Sequence, residues 1–479
     1  MLERPIVLAV VGHVNAGKTA VIRTLTRSGE FGEVDEAPGT TKTVVSAFRR
    51  FDACVAVRFD DTPGIEDPVA LLELLQAVPH GLTPADRIRA FLRRPDANDD
   101  FAPEARALRA VLDADAVVYV VDTREAVLPK FRCEMSLLVA IAKPIVVVLN
   151  HLHSAGSRLD RWPAALNEHG MQAQVNLDAA VPGPGSERLF YQSLAAALAN
   201  RRPEAQTLEA AAHRAAASRR NAGMKAVANC LVGLAALRRT LSRAELADEA
   251  KLATCIDKIR QDVVAHARAA HHELLQAHDF RVGDADVESL PGVSGRWEDD
   301  LFDPEALKIS AQTFGKGAAV GAAIGLGLDI ALAGLSLGVG TAVGAAIGGA
   351  AGQGFAPMGR ALVNKVSGQQ DVTVENAVLL LLCDRLLKLE AALEERGHGA
   401  VDKVSIGGGI AMSDEAVKRV MDALSPARSH AAWATGEPRS DSESARRNRF
   451  VDALTNVLAQ PPRPPLLPEP VGARPREGD

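Results

Sequence analysis

Gly12 and Gly17 stand five residues apart, and Lys18 and Thr19 follow at once, so "GHVNAGKT" has the spacing G-x-x-x-x-G-K-[ST]. Such a loop turns its backbone N–H groups onto a phosphate. The following helix N-terminus adds its own attraction for negative charge. Lys18 is placed to bridge β- and γ-phosphates, and the Thr19 hydroxyl to ligate magnesium. The candidate cradle runs from Gly12 to Ala20 and takes in Asn15, Ala16 and Gly17. Further on, "DDTPG" holds Asp61 and Gly64 in D-x-x-G. An acid there can hold magnesium through water, and the glycine lets a backbone N–H approach a γ-phosphate. Between the two motifs, "APGTTKT" offers a threonine that can close over the metal. Either short motif alone reads equally well as a turn; their order after the first loop favours the chemistry.

These residues need a scaffold. Residues 1–200 alternate helical stretches with the runs "IVLAVVG", "TVVSAF", "CVAVRFDD", "AVVYVVD" and "PIVVVLN". Val and Ile dominate them, as in strands buried on both faces of a parallel sheet. The expected fold is an α/β P-loop domain over 1–202, mostly parallel, with helices on both faces. Residues 65–112 read as an inserted helical subdomain or lid. After residue 203 the β-runs stop, and an all-α region is expected. Ser242 and Glu245 form a capping-box signature, and Asp303-Pro304-Glu305 is another helix start. A helix is expected over 374–396 with Gly397 as its stop, and another from Ser413. The divisions are 203–312 helical, 313–359 glycine-rich, 360–459 helical, and a Pro/Arg-rich disordered tail over 460–479.

Residues 314–359 carry only Lys316 and Asp329 as charges. Gly317, Gly321 and Gly325, then Gly340, Gly344, Gly348 and Gly352, recur at four-residue spacing. That pattern suits a glycine-zipper hairpin of two helices packed backbone to backbone, and each half approaches bilayer length. Asp329 opposes a stable span, and a tightly packed soluble hairpin is the alternative.

The formal charge is −6 and aromatics make up 4% of the chain, which argues against nucleic acid as the main partner. Five scattered cysteines argue for reduced thiols in a cytosolic compartment, against a disulfide framework or zinc site. The first strand begins so early that no signal peptide is expected.

"GxxNxGKT", "PGTT" and "DTPG" resemble the Era/TrmE group of translation-factor-related GTPases, over about residues 5–200. The resemblance implies GTP or GDP with Mg2+ as ligands and Thr41 as the switch-one magnesium ligand. It also implies a K+ ion beside Asn15, for which the plainer reading is a loop residue tolerant of positive φ. Two positions depart from the group's pattern. Its base-reading N-K-x-D becomes Asn150-His151-Leu152-His153, so a neutral imidazole stands where a bidentate carboxylate is expected. The nearest counterpart of the following S-A-K-like loop is "VNLDAAVPG", which stays unassigned. Ile65 follows "DTPG" and cannot orient water by hydrogen bonding, so hydrolysis is expected to be slow. Glu66 and Asp67 are adjacent acids whose plainer reading is solvation. The whole layout is also similar to bacterial proteins that join such a GTPase to a C-terminal domain of unknown function.

The expectation is a GTP-binding regulatory switch with slow magnesium-dependent hydrolysis. It would act in the bacterial cytoplasm at or near the inner membrane, with membrane contact through 314–359. Lys18, Thr41 and Gly64 are the candidate catalytic residues. An unidentified protein and a second copy of the chain are the further partner candidates. The alternatives are a non-catalytic nucleotide-binding scaffold at the membrane and a ribosome- or RNA-assembly GTPase, for which no RNA-binding module is visible.

Overall fold

A computed structural model of the chain describes residues 4–31, 44–51, 56–77, 81–183, 185–281, 335–336, 369–400, 412–435 and 440–460. Thr41 and its "APGTT", Asp303-Pro304-Glu305, the tail after 460, and the glycine-rich segment apart from 335–336 lie outside the described residues. The chain divides into two compact units. The first comprises Met1–Ala222, Leu275–Val287 and Leu389–Ser405; the second comprises Gly223–Leu274, Glu288–Lys388 and Ile406–Asp479. The division does not fall at residue 202: two short stretches from far along the chain join the N-terminal unit.

The first unit is built on strands β1 (Ile6–Val11), β2 (Val45–Arg50), β3 (Ala56–Asp61), β4 (Ala116–Asp122), β5 (Ile145–Asn150) and β6 (Gln174–Asn176). They form one sheet in the order β2-β3-β1-β4-β5-β6. All neighbours are parallel except β2, which runs antiparallel to β3. Sequence reading placed β2 among strands buried on both faces. Instead it is an edge strand, with Ala47 buried while Val45 and Phe48 are exposed. An edge strand is covered less than a central one, and Ala47 is the one residue of β2 that is buried.

Helices α1 (Lys18–Thr26) and α7 (Ser186–Ala197) cover one face of this sheet. Val21, Ile22, Leu25, Phe190 and Leu194 pack there with Leu8 and Val10 of β1. The alternate β1 residues, Val7 and Ala9, point to the other face. That face is covered by α2 (Pro68–Gln76), α3 (Pro84–Phe91), α4 (Ala102–Asp113), α5 (Pro129–Ala140) and α6 (Trp162–Glu168). The stretch 65–112 is helical, and Leu71, Phe91 and Leu108 from it share a core with Met135 and Trp162. Asp67 and Thr83 cap α2 and α3, each followed by a first-turn proline.

Beyond this come α8 (Arg202–Ala236), β7 (Arg238–Ser242), α9 (Arg243–Leu246), α10 (Glu249–Ala277), β8 (Leu335–Ser336), β9 (Gln369–Val374), α11 (Asn376–Glu395), α12 (Asp414–Leu424) and α13 (Asp441–Leu458). The second unit is largely helical, but β7, β9 and β8 form a small antiparallel sheet that an all-α reading misses. "RRTLS" and "QQDVTV" are too polar to announce strands by apolar alternation. The Ser242–Glu245 capping box is present, and Ser413 caps α12. Among the described residues, no helix is long and apolar enough to cross a membrane.

Candidate nucleotide site

The loop from β1 to α1 is held by contacts only glycine permits. Gly12 has φ 151°, and a Cβ there would lie 2.3 Å from the Val120 carbonyl oxygen. Gly17, the residue before α1, has φ 90°, and a Cβ would lie 2.3 Å from Asn150 Nδ2. Both positions therefore exclude a side chain on conformation and on space. Asn15 is exposed with φ 65°, a left-handed conformation that asparagine tolerates.

Lys18 begins α1 and is only 7% exposed. Its Nζ donates to the carbonyl oxygens of Gly12 (3.1 Å) and His13 (3.0 Å). Burial lowers its pKa from the ordinary lysine value, against the pull of Asp61 and Glu134. Thr19 Oγ1 donates to Asp61 Oδ2 at 2.6 Å. Asp61, at the end of β3, is buried, and its Oδ1 has no hydrogen-bond partner. Burial raises its pKa, opposed by the Thr19 hydrogen bond and the Lys18 charge. A hydroxyl and a carboxylate side by side, one oxygen left over, fit a hard cation bound by oxygen ligands.

The D-x-x-G segment runs along the phosphate loop. Ile65 N–H donates to the Gly12 carbonyl (3.4 Å), and a Cβ on Gly64 would lie 2.6 Å from Val14 Cγ2. Ile65 is 1% exposed. Asp67 accepts from the Ala70 N–H as the α2 cap, and the N–H groups of Glu66 and Asp67 donate to Glu104 Oε1. The two acids thus sit at a helix start. His13 Nδ1 lies 2.9 Å from the Ile65 carbonyl, and its Nε2 lies 3.0 Å from Lys130 Nζ. The carbonyl requires Nδ1–H, so Nε2 accepts from the ammonium and the ring is neutral. Burial first, then Lys130, lowers its pKa.

Behind Lys18, Glu134 is fully buried on α5 and accepts from the Tyr119 hydroxyl at 2.8 Å. Burial lifts its pKa to about 7, with the Tyr119 hydrogen bond and the charges of Lys18 and Lys130 holding it down. A raised acid stabilises the fold fully below its unfolded pKa, and that stabilisation is lost as pH rises through about 7. The shift corresponds to on the order of 3 kcal/mol. Wild type is expected to lose stability to urea between about pH 5 and pH 8, and Glu134→Gln to flatten that slope. Equal slopes in the two proteins would contradict the assignment.

Asn150, at the end of β5, is fully buried and bridges two loops. Its Nδ2 donates to the Ala16 carbonyl (2.9 Å), and its Oδ1 accepts from the Ala179 N–H (2.8 Å). The 178–181 loop, within "VNLDAAVPG", is thus tied to the phosphate loop through Asn150. Asp178 Oδ1 accepts from the N–H groups of Ala180 and Val181, and the N–H of exposed His153 faces Asp178 Oδ2 at 3.5 Å.

A contribution invisible in the sequence comes from Gly397 and Gly399. The Gly397 N–H donates to the Ala180 carbonyl (2.9 Å), and the Gly399 N–H to Thr24 Oγ1 (3.1 Å). Thr24 Oγ1 in turn donates to the Ala179 carbonyl at 2.7 Å. A Cβ on Gly397 would lie 1.9 Å from that same oxygen. The only sequence signal was glycine after a helix, which reads as a C-cap.

A glycine-bent loop closing on Lys18 and Thr19, an acid at the end of β3 and an asparagine behind the loop define a P-loop domain of the GTPase class. Residues 7–151 match the family described as 50S ribosome-binding GTPase, and residues 164–456 match a domain of unknown function, DUF3482. The second match takes in more than half of the chain, and the chain belongs to the DUF3482 family. The GTPase Der of Azorhizobium caulinodans is 28% identical over 235 residues, 47% of this chain and 45% of that protein. The Bartonella tribocorum GTPase Der is 28% identical over 197 residues, 38% of this chain and 35% of that protein. The chain thus spans less than half the length of these relatives. Among solved structures, Aquifex aeolicus Era bound to GDP and aluminium fluoride has 20% identity and a TM-score of 0.27, covering 36% of this chain and 50% of that one. Era with MgGDPNP and a segment of 16S ribosomal RNA has 18% identity and a TM-score of 0.27, covering 37% and 52%. That complex is a property of Era.

Proposed function

We propose that this chain binds GTP and GDP with magnesium at the Gly12–Ala20 loop, hydrolyses GTP slowly, and acts as a nucleotide-dependent regulatory switch. The Lys18–Thr19–Asp61 constellation carries the reading: a buried ammonium and two adjacent oxygen ligands where β1, β3 and α1 meet. Lys18 and the loop N–H groups would stabilise charge on the γ-phosphate as water attacks, and Thr19 and Asp61, with Thr41, would hold magnesium. Buried Ile65 offers the water no hydrogen bond, which leaves the basal rate low. Potassium beside Asn15 would add positive charge near the phosphates. Phosphate release from GTP is expected to rise when sodium is replaced by potassium, and Asn15→Ala to lose the response. Equal rates in the two salts would remove potassium from the account.

Guanine preference rests on Asn150 and the 178–181 loop, with His153 where a carboxylate would read the base. GTP is expected to be favoured over ATP only weakly, and His153→Asp to sharpen the preference. Strong exclusion of ATP by wild type would instead point to Asp178, the carboxylate nearest the His153 backbone. The glycine-rich 314–359 segment supports membrane contact by its composition; deletion of it should abolish co-flotation with liposomes and leave nucleotide binding intact. The description of the family matched over residues 7–151, 50S ribosome-binding GTPase, favours a ribosome-associated role as the second reading. GTP-dependent co-sedimentation with ribosomal subunits would select it.

A further inference from the structure

At the far end of α1 from the phosphate loop lies a small cationic cavity that the nucleotide site does not use. Arg27 follows α1 directly, Glu187 sits in the first turn of α7, and Arg219 lies on α8. The side chains of Arg27 and Arg219 are 13% and 10% exposed. Both guanidiniums donate to a single oxygen, Glu187 Oε2, at 3.2 and 2.9 Å. Among the described residues no other carboxylate bonds to either of them. Arg27 Nε and Nη1, Arg219 Nη1 and Glu187 Oε1 are buried without a hydrogen-bond partner. Two buried guanidiniums share one hydrogen-bonded carboxylate; Asp279 acts on Arg219 only through space and is itself paired with Arg49, a third guanidinium of the cluster. Unmade charged hydrogen bonds are costly.

Arg27, Glu187, Arg219 and His398 line a cavity of about 90 Å³. His398 stacks on Phe280 with ring centroids 4.1 Å apart. Its pKa is lowered to about 3 by burial first, then by Arg27, Arg49 and Arg219, so it adds no charge of its own. At neutral pH the arginines supply the positive field. The cavity shares Arg188 and His213 with a larger polar groove of about 480 Å³, lined also by Gln192 of α7 and Gln206 of α8.

We propose that the cavity is a binding site for the phosphate group of a small phosphomonoester, whose polar body lies in the adjoining groove. The planar forks of Arg27 and Arg219 match a tetrahedral oxyanion, and their free N–H groups supply its hydrogen bonds. The unpartnered Glu187 oxygen accepts a donor on the ligand, such as a hydroxyl next to the phosphate. The site is separate from the P-loop and does not depend on the nucleotide reading.

The test is calorimetric titration of the full chain with inorganic phosphate and with ribose 5-phosphate at constant ionic strength. Protein saturated with Mg·GDP and the Lys18→Ala variant are both used, so that the P-loop is either filled or disabled. Saturable binding is expected in both, tighter for the sugar phosphate. If only inorganic phosphate binds, the phosphomonoester body is wrong. Arg219→Gln is expected to weaken binding about tenfold or more. Glu187→Gln frees both guanidiniums from their counter-ion and is expected to tighten inorganic phosphate binding, with phosphate raising its melting temperature. This second variant decides the matter should Arg219→Gln fail to fold. No saturable binding to wild type or Glu187→Gln, or binding that Arg219→Gln leaves unchanged, would overturn the proposal and leave a structural Arg–Glu–Arg cluster.

Discussion

Lys18→Ala is expected to abolish measurable triphosphate binding. The wild-type ammonium is buried with two loop carbonyls as its hydrogen-bond partners. A triphosphate entering the loop offers it stronger, charge-assisted acceptors. Removing it deletes those bonds and leaves Asp61 facing an incoming polyanion without the Lys18 charge. Each lost charged bond is worth roughly 1.5–3 kcal/mol, so affinity should fall on the order of 10²–10³-fold or more. Titration with a fluorescent GTP analogue, with circular dichroism to check folding, measures it. An unchanged affinity in a folded variant would mean that the loop does not hold phosphate.

Gly397→Ala is expected to injure both the fold and the nucleotide site. The new methyl would lie 1.9 Å from the Ala179 carbonyl oxygen and 2.8 Å from Thr24 Oγ1, so backbone must move. Overpacking of this kind costs roughly 1–3 kcal/mol. The displaced residue, Ala179, is the one whose N–H engages Asn150 Oδ1. The disturbance therefore passes through Asn150 to Ala16 of the phosphate loop. Urea denaturation should show the loss of stability, and GDP affinity should fall about tenfold, matching about 1.4 kcal/mol transmitted to the site. Gly156→Ala, with nothing within 4 Å of the added methyl, is the neutral control. Lost stability with unchanged GDP affinity would confine Gly397 to a packing role.

The contrast between these two glycine and lysine positions shows what a sequence discloses. That Gly12, Gly17, Lys18, Thr19, Asp61 and Asn150 come together was legible, because a strand–loop–helix of this spacing and the ends of the neighbouring strands fix where each falls. β1, β3, β4 and β5 were legible because burial on both faces demands Val and Ile. β6 was too short to carry a pattern, and β7 and β9 too polar. Asp67 was visible as an acid, but its capping role depends on where α2 begins. Gly397 meets Ala179 across more than 200 residues, and no local pattern encodes that approach. No local pattern sets Arg27 and Arg219 apart; folding alone buries both on Glu187.

The central claim is a nucleotide site at the Gly12–Ala20 loop, and calorimetric titration of the full chain with GTP, GDP and ATP in magnesium tests it most directly. The account predicts saturable one-to-one binding of GTP and GDP, weaker binding of ATP, and loss of the GTP signal in Lys18→Ala. No saturable heat from any of the three nucleotides with the folded wild-type chain would contradict it.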